Sequence, residues 1–234
     1  MGILGLAVIG IIGIFLLAGI YKGFLWNLAT LGAMIVSIIL AALFMGSVSK
    51  AIIKNNTLYE AMLSYTEGSE AIYDVELVDR DITSLSNSEI DEIMERSNLH
   101  FPLRERVYEN IMNESLKSRG ATTLGEYFNE SIVLVIINIL SFLLVYFVSR
   151  VALTFLISWL DYSFKFPRLR HFDPAIGGAI GVIRGIIELL IVFMITPIVL
   201  TVLPFDQIEE LFSASAVATY FHRSNILLKL IPGV

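Results

Sequence analysis

The chain contains four long apolar stretches with almost no charged residues, and this feature limits what it can fold into. They run from residue 1 to 20, from 23 to 49, from 131 to about 160, and from 173 to 203. About 20 apolar residues in a helix are enough to cross a bilayer. Charged residues make up only 16% of the chain and hydrophobic residues 56%, against about 25% charged in a soluble domain. The sequence therefore predicts an all-α membrane protein with four transmembrane helices.

These stretches divide the chain into four segments. Residues 1–49 are predicted to form the first transmembrane helix pair, and residues 131–203 a second pair with a glycine-rich motif. Between them, residues 50–130 form an acidic, mostly helical insertion with 16 acidic and 8 basic residues. Because phosphate binding needs clustered cations, this acidity argues against nucleic acid as a partner. Residues 204–234 form an amphipathic tail, which lies on the membrane surface or packs back onto the spans.

Two pairs of residues in the insertion match the pattern of a capping box, which marks the start of a helix. The first pair is Ser88 with Asp91. The second pair is Thr123 with Glu126, and it predicts the start of the helix that becomes the third span.

The fourth apolar region is longer than a simple span. Its roughly 31 residues would extend about 46 Å as one helix, against a hydrocarbon core of about 30 Å. Either one long helix begins outside the bilayer, or residues 174–183 form a short re-entrant or interfacial helix before the true span. Pro197 is expected to kink the second part, because proline removes a backbone donor.

A short motif, Gly-x-x-basic-Gly, occurs in both halves of the chain. It is Gly19 to Gly23 around Lys22, and Gly181 to Gly185 around Arg184. With Gly177, the glycines of the second half recur every four residues and share one helix face. Small residues at this spacing let another helix approach closely, so helix packing is the first interpretation. The alternative is a smooth face past which a substrate moves.

Three charged residues of the fourth region are candidate functional residues. Arg184 and Glu188 are four residues apart and can meet on one helix face. They are interpreted as a pair at the membrane surface, as a structural pair inside the membrane, or as part of an ion or proton route. Asp173 precedes Pro174 and is expected to cap the helix that starts there.

The sequence offers no residues for catalysis, metal binding or cofactor binding. It has no cysteine, and its three histidines lie far apart, which argues against disulfides and zinc sites. No nucleophile-elbow, phosphate-loop or zinc-protease motif occurs. We therefore expect no enzymatic activity and no cofactor.

The basic residues of short loops predict the orientation. The connection from residue 161 to 172 contains two arginines and a lysine, and the first hairpin contains Lys22. Both connections belong on the cytoplasmic side by the positive-inside rule. The N-terminus, the C-terminus and the acidic insertion are then expected to be extracytoplasmic.

Two stretches resemble the colicin V production protein (CvpA) family of bacterial membrane proteins. Residues 19–32, GIYKGFLWNLATLG, are similar to the family's basic-glycine turn followed by an apolar helix. Residues 173–190, DPAIGGAIGVIRGIIELL, are similar to its pattern of an aspartate followed by Gly-x-x-x-Gly-x-x-Arg-Gly. The motif positions that carry over are Lys22, Gly23, Asp173, Gly177, Gly181, Arg184 and Gly185. The acidic insertion is longer than the corresponding connection in the family.

The resemblance implies a multi-pass protein of the bacterial cytoplasmic membrane that is linked to export of a peptide toxin and to envelope function. We expect a scaffold or accessory component of an export or envelope-maintenance complex. Its partners are the lipid bilayer and a second copy of the chain or another membrane protein. The alternative is a small channel or secondary transporter built on the half-repeat, as in many transporters with repeated halves.

Overall fold

The computed structural model describes residues 2–164, 173–202, 210, 212 and 214–234. The structure is 82% helical, and the described residues form no strand, which confirms the all-α membrane class. Four helical stretches in this part of the chain are long and apolar enough to cross a membrane. The described helices are α1 Ile3–Lys22, α2 Phe24–Ile53, α3 Asn56–Thr66, α4 Val75–Val78, α5 Asn87–Arg96, α6 Leu103–Met112, α7 Leu124–Phe164, α8 Asp173–Phe193, α9 Thr196–Val202 and α10 Ala216–Arg223.

The chain forms two compact units. The first, which we call the apolar unit, contains the described residues of Met1–Met45, Ser141–Met194 and Asp206–Leu227. The second, the acidic unit, contains those of Gly46–Leu140, Ile195–Phe205 and Leu228–Val234. The helices α2 and α7 contribute residues to both units.

The apolar unit has α1 packed along α8, with the short α10 against both. Buried side chains of Val8, Leu189, Phe193, Ala218 and Phe221 form one cluster between these three helices. The part of the tail that forms α10 therefore packs back onto the apolar helices α1 and α8. On the outer faces of α1, α2 and α8, many large apolar side chains are exposed, including Leu17, Leu43 and Val192. Such surfaces are stable when lipid or another apolar helix covers them.

Helix α8 is continuous through the glycine-rich motif. It has 21 residues from Asp173 to Phe193, about 31 Å, which matches the hydrocarbon core of a bilayer. Residues 174–183 are thus its first half and not a separate re-entrant helix. The helical run is interrupted between Phe193 and Thr196, and Pro197 lies in the first turn of α9 directly after this break. A helix needs no backbone donor at that position.

Helix α7 is too long to lie wholly in a bilayer. Its 41 residues extend about 61 Å, twice the hydrocarbon thickness. Residues 131–139 are all buried and belong to the acidic unit. After residue 140, large apolar side chains such as Leu144, Phe147 and Phe155 are exposed. The apolar stretch that begins at Ser131 therefore first supplies core to the acidic unit, and only its later part has a lipid-compatible surface.

The acidic unit is built around the first part of α7. Its fully buried side chains include Leu103, Val107, Leu116, Leu124 and Phe128. Hydrogen bonds hold other segments of the unit to this helix. Ser69 N donates to Asn129 Oδ1 at 2.7 Å, Asn110 Nδ2 donates to Ser131 Oγ at 2.9 Å, and Asn138 Nδ2 donates to Pro232 O at 3.1 Å.

One of the two predicted capping boxes is confirmed and the other is displaced. At the start of α7, Glu126 N donates to Thr123 Oγ1, and Thr123 N donates to Glu126 Oε2. The box at Ser88 and Asp91 is wrong, because α5 begins two residues earlier with Ser86 and Glu89 as its box. Ser86 has the extended backbone that an N-cap needs, whereas Ser88 already lies inside the helix.

Candidate functional site

The glycines of the two half-motifs contact each other across α1 and α8. A Cβ atom added to Gly19 would collide with the carbonyl oxygen of Gly177, and one added to Gly181 would collide with that of Phe15. At Gly177 an added Cβ would lie 2.9 Å from the carbonyl carbon of Gly23. The two backbones therefore touch directly, which only glycine permits at these positions. The glycine face of α8 is covered by α1 of the same chain.

The last glycine of the motif receives an aromatic side chain. A Cβ atom at Gly185 would lie 3.1 Å from the Cβ of Phe15. The ring of Phe15 also lies beneath the guanidinium of Arg184, with 5.6 Å between the guanidinium carbon and the ring centroid. Phe15 of α1 thus packs against the fourth helical turn of α8.

Asp173 joins the start of α8 to the turn between α1 and α2. Its buried carboxylate accepts a hydrogen bond from the backbone N–H of Phe24 at 2.8 Å. Phe24 is the first residue of α2, so Asp173 caps α2, whereas the sequence assigned its capping role to its own helix. Gly23 has a positive φ of 78°, and an added Cβ there would collide with the Asp173 carboxylate. Both properties favour glycine in the turn.

Arg184 bonds to an asparagine that lies outside the two Gly-x-x-basic-Gly motifs. Its Nη1 donates to Asn27 Oδ1 at 2.7 Å. Asn27 is fully buried, and its Nδ2 donates to Gly23 O at 2.6 Å and to Gly19 O at 3.0 Å. The asparagine therefore connects the arginine to carbonyls at the end of α1. Its position offered one clue, because it lies four residues after Gly23 in an uncharged stretch, where its amide reaches that carbonyl.

Glu188 and Arg184 do not pair with each other, so the two interpretations as an ion pair are wrong, and the ion or proton route stays a prediction. Glu188 Oε2 instead accepts a hydrogen bond from Tyr146 Oη of α7 at 3.1 Å. Every salt bridge among the described residues lies in the acidic unit. The helical spacing allows the contact, but each side chain reaches a different neighbouring helix. Arg184 contacts α2 and Glu188 contacts α7.

The two basic residues of the half-repeat have different surroundings. Lys22 is exposed at the end of α1, and its ammonium lies 4.3 Å from the centre of the Trp26 ring. Arg184 is half-buried, and its Nε has no hydrogen-bond partner. The motif therefore places one cation at the surface and the other between helices.

A second arginine lies in the apolar unit on α7. Arg150 Nη1 donates to Thr30 O of α2 at 3.0 Å. Arg150, Arg184 and Glu188 are all half-buried in this unit, where the carboxylate of Asp173 is also buried. Ser141 Oγ is buried there without a partner. In the described part of the chain, no group of three or more His, Asp or Glu residues is arranged to hold a metal ion.

Comparison with known proteins gives one match. The family model described as Colicin V production protein matches residues 116–225. This range contains all of α7 and α8, with the motif from Asp173 to Gly185. No curated protein and no solved structure matches the chain.

Proposed function

We propose that the chain is a membrane scaffold of an export or envelope-maintenance complex, because the family model described as Colicin V production protein matches residues 116–225. In this role the apolar unit holds the protein in the bilayer, and the acidic unit presents a folded surface to partners. The role needs no catalytic step and no cofactor.

The main support for this proposal is that the motif residues contact other helices of the same chain. Asp173 caps α2, Arg184 bonds to Asn27, and Glu188 bonds to Tyr146. Gly19 and Gly177 are covered by each other's backbone. These contacts join helices of one chain, which is what a rigid platform requires. A hydrogen bond between helices gives such a polar group a role that needs no solute.

The arrangement of the turns supports an orientation with the acidic unit outside the cytoplasm. The hydrogen bond from Phe24 to Asp173 brings the turn that carries Lys22 next to the start of α8. The sequence just before α8 is rich in basic residues. Two short basic connections at one end favour the cytoplasmic side. We place the protein in the bacterial inner membrane with both termini extracytoplasmic.

Photo-crosslinking in native membranes tests the scaffold role. A photoreactive residue is placed in turn at Glu76, Glu95 and Glu105, which are exposed in the acidic unit, and at Tyr127, which is fully buried there. The proposal predicts discrete crosslinked products from at least one exposed position and none from position 127. The product mass separates a second copy of the chain from a different protein. Equal labelling from exposed and buried positions would contradict the scaffold role.

Anion transport is a second candidate, favoured by two half-buried arginines in the apolar unit. These are Arg150 and Arg184, and Arg184 Nε and Ser141 Oγ are buried without partners. Intramembrane charged groups mark ion pathways in many membrane proteins. This candidate predicts chloride flux in proteoliposomes that falls in both Arg150→Gln and Arg184→Gln. Flux equal to that of protein-free vesicles would remove it.

A further inference from the structure

A groove in the acidic unit is lined by three basic residues although the unit is strongly acidic. It has a volume of about 740 Å³ and is lined by Lys50, Lys54 and Arg119, with Ser47 and Asn56 among its polar residues. Between residues 50 and 130 the chain has 16 acidic and 8 basic residues, yet no carboxylate lines this groove. We propose that it binds the phosphate of an anionic phospholipid headgroup, a role that does not depend on the proposed export function.

The position of the groove along α2 places it beside the lipid headgroups. Helix α2 has 30 residues, about 45 Å, so about ten of them must extend beyond a hydrocarbon core of about 30 Å. The polar and charged residues Ser47, Ser49 and Lys50 lie in its last turns. Lys50 and Lys54 are then about two and three turns beyond the hydrocarbon, on the water side of the phosphate groups. Flexible lysine side chains reach such groups readily.

The helix presents an apolar surface for the acyl chains on the same face as the lysines. Residues 36, 39, 43, 47, 50 and 54 follow one another at steps of three or four, so they share one face of α2. Lys54 continues this register, since its N–H donates to Lys50 O at 3.0 Å. Val36, Ile39 and Leu43 are all exposed, Leu43 to 69%. An apolar stripe that ends in two cations matches the chemistry of a phospholipid.

Arg119 supplies the far wall of the groove and keeps donors available. Its Nε contacts Glu130 Oε2 at 3.0 Å, and its guanidinium carbon lies 5.4 Å from the centre of the Tyr59 ring. These contacts fix the guanidinium and partly neutralise it. In the described part of the chain, neither Lys50 nor Lys54 has a salt bridge. The two lysines therefore supply the uncompensated positive charge.

The test is lipid binding by the full chain in an uncharged detergent. Dioctanoyl phosphatidylglycerol, dioctanoyl phosphatidylcholine and inorganic phosphate are titrated separately, and the unfolding temperature reports binding. Phosphatidylglycerol should raise the unfolding temperature of the wild type more than phosphatidylcholine does. Lys50→Gln/Lys54→Gln should weaken phosphatidylglycerol binding by roughly fivefold per lysine, the contribution of a basic residue near an anionic surface. Lys117→Gln removes the same charge outside the groove and should bind as the wild type does.

Three results would overturn the proposal. Equal stabilisation by the two lipids would show that the headgroup charge is not recognised. If inorganic phosphate stabilises the protein and phosphatidylglycerol has no further effect once phosphate is present, the groove is a site for a free anion. Equal weakening in Lys117→Gln would show a general charge effect. If the double variant does not fold, Lys50→Arg/Lys54→Arg replaces it. That variant keeps both positive charges and should therefore retain phosphatidylglycerol binding. In the wild type, high salt should abolish phosphatidylglycerol binding.

Discussion

The carboxylate of Asp173 accepts a hydrogen bond from the backbone N–H of Phe24, so the first residue of α8 caps the first turn of α2. The two residues are 149 positions apart in sequence. This contact joins the turn at Gly23 to the start of α8 and so fixes one end of the apolar unit. The glycine contacts between α1 and α8 then continue from that end along both helices.

Removing the Asp173 cap should destabilise the protein. Asp173→Ala leaves the N–H of Phe24 without its acceptor and should cost about 0.5–2 kcal/mol, the usual range for a helix cap. Asp173→Asn keeps an acceptor oxygen and should cost less. Thermal unfolding of both variants in detergent measures the difference. An alanine variant as stable as the wild type would show that this hydrogen bond contributes nothing.

The glycine contact between α1 and α8 predicts a sharp difference between two glycines of the same helix. Gly19→Ala places a methyl group against the Gly177 carbonyl and should cost about 1–3 kcal/mol, as overpacking does. Gly13 has no atom within 4 Å of an added Cβ, so Gly13→Ala should be neutral or slightly stabilising. Unfolding of both variants by denaturant in mixed micelles measures this. Equal effects at the two positions would contradict the direct backbone contact.

The bond between Arg184 and Asn27 predicts energetic coupling. A double-mutant cycle with Arg184→Leu and Asn27→Leu should give a coupling free energy of about 0.6–1.7 kcal/mol, the range for polar contacts between membrane helices. A cycle of Arg184→Leu with Glu188→Leu should give less, because these two side chains do not bond. Stability in detergent is the quantity measured. Stronger coupling of Arg184 with Glu188 than with Asn27 would contradict the structure and support the ion pair that the sequence suggested.

The start of α5 gives a prediction that separates the observed cap from the one suggested by sequence. Ser86→Ala should cost about 1 kcal/mol and Ser88→Ala much less, because only Ser86 is the N-cap. The backbone N–H of Ser86, followed by its hydroxyl and by Arg80, holds the pKa of Glu89 below its ordinary value. A lowered pKa means that the contribution of this carboxylate is present above its unfolded-state pKa. It should disappear as the pH falls through the folded-state pKa. The free energies of unfolding of both serine variants, measured at neutral and at acidic pH, test the position of the cap and the pH dependence.

The number of long apolar helices was predictable from the sequence because lipid-facing and buried helices both need apolar residues. For the same reason, the sequence could not show that residues 131–139 are buried in the acidic unit. A run of Ile, Val and Leu satisfies either environment. The burial of this segment depends on residues distant in sequence, such as Asn110, which bonds to Ser131.

The candidate site was only partly predictable. The four-residue spacing of the glycines correctly indicates one packing face, since helical register fixes it locally. The partners of Arg184 and Glu188 depend on which helices lie beside α8, and spacing within α8 does not contain that information. Asn27 and Tyr146 were therefore missed as partners, although both supply the hydrogen bonds that hold these charges.

The most direct measurement is the leak of chloride and small solutes from proteoliposomes that contain the wild type, Arg184→Gln or Lys22→Gln. Lys22 is the equivalent cation of the other half-motif, but it is exposed, so its variant controls for the loss of one charge. A scaffold predicts that all three preparations are as tight as protein-free vesicles when the protein is correctly inserted. Leak through the wild type that changes in Arg184→Gln and not in Lys22→Gln would contradict the scaffold role and identify a transport pathway at Arg184.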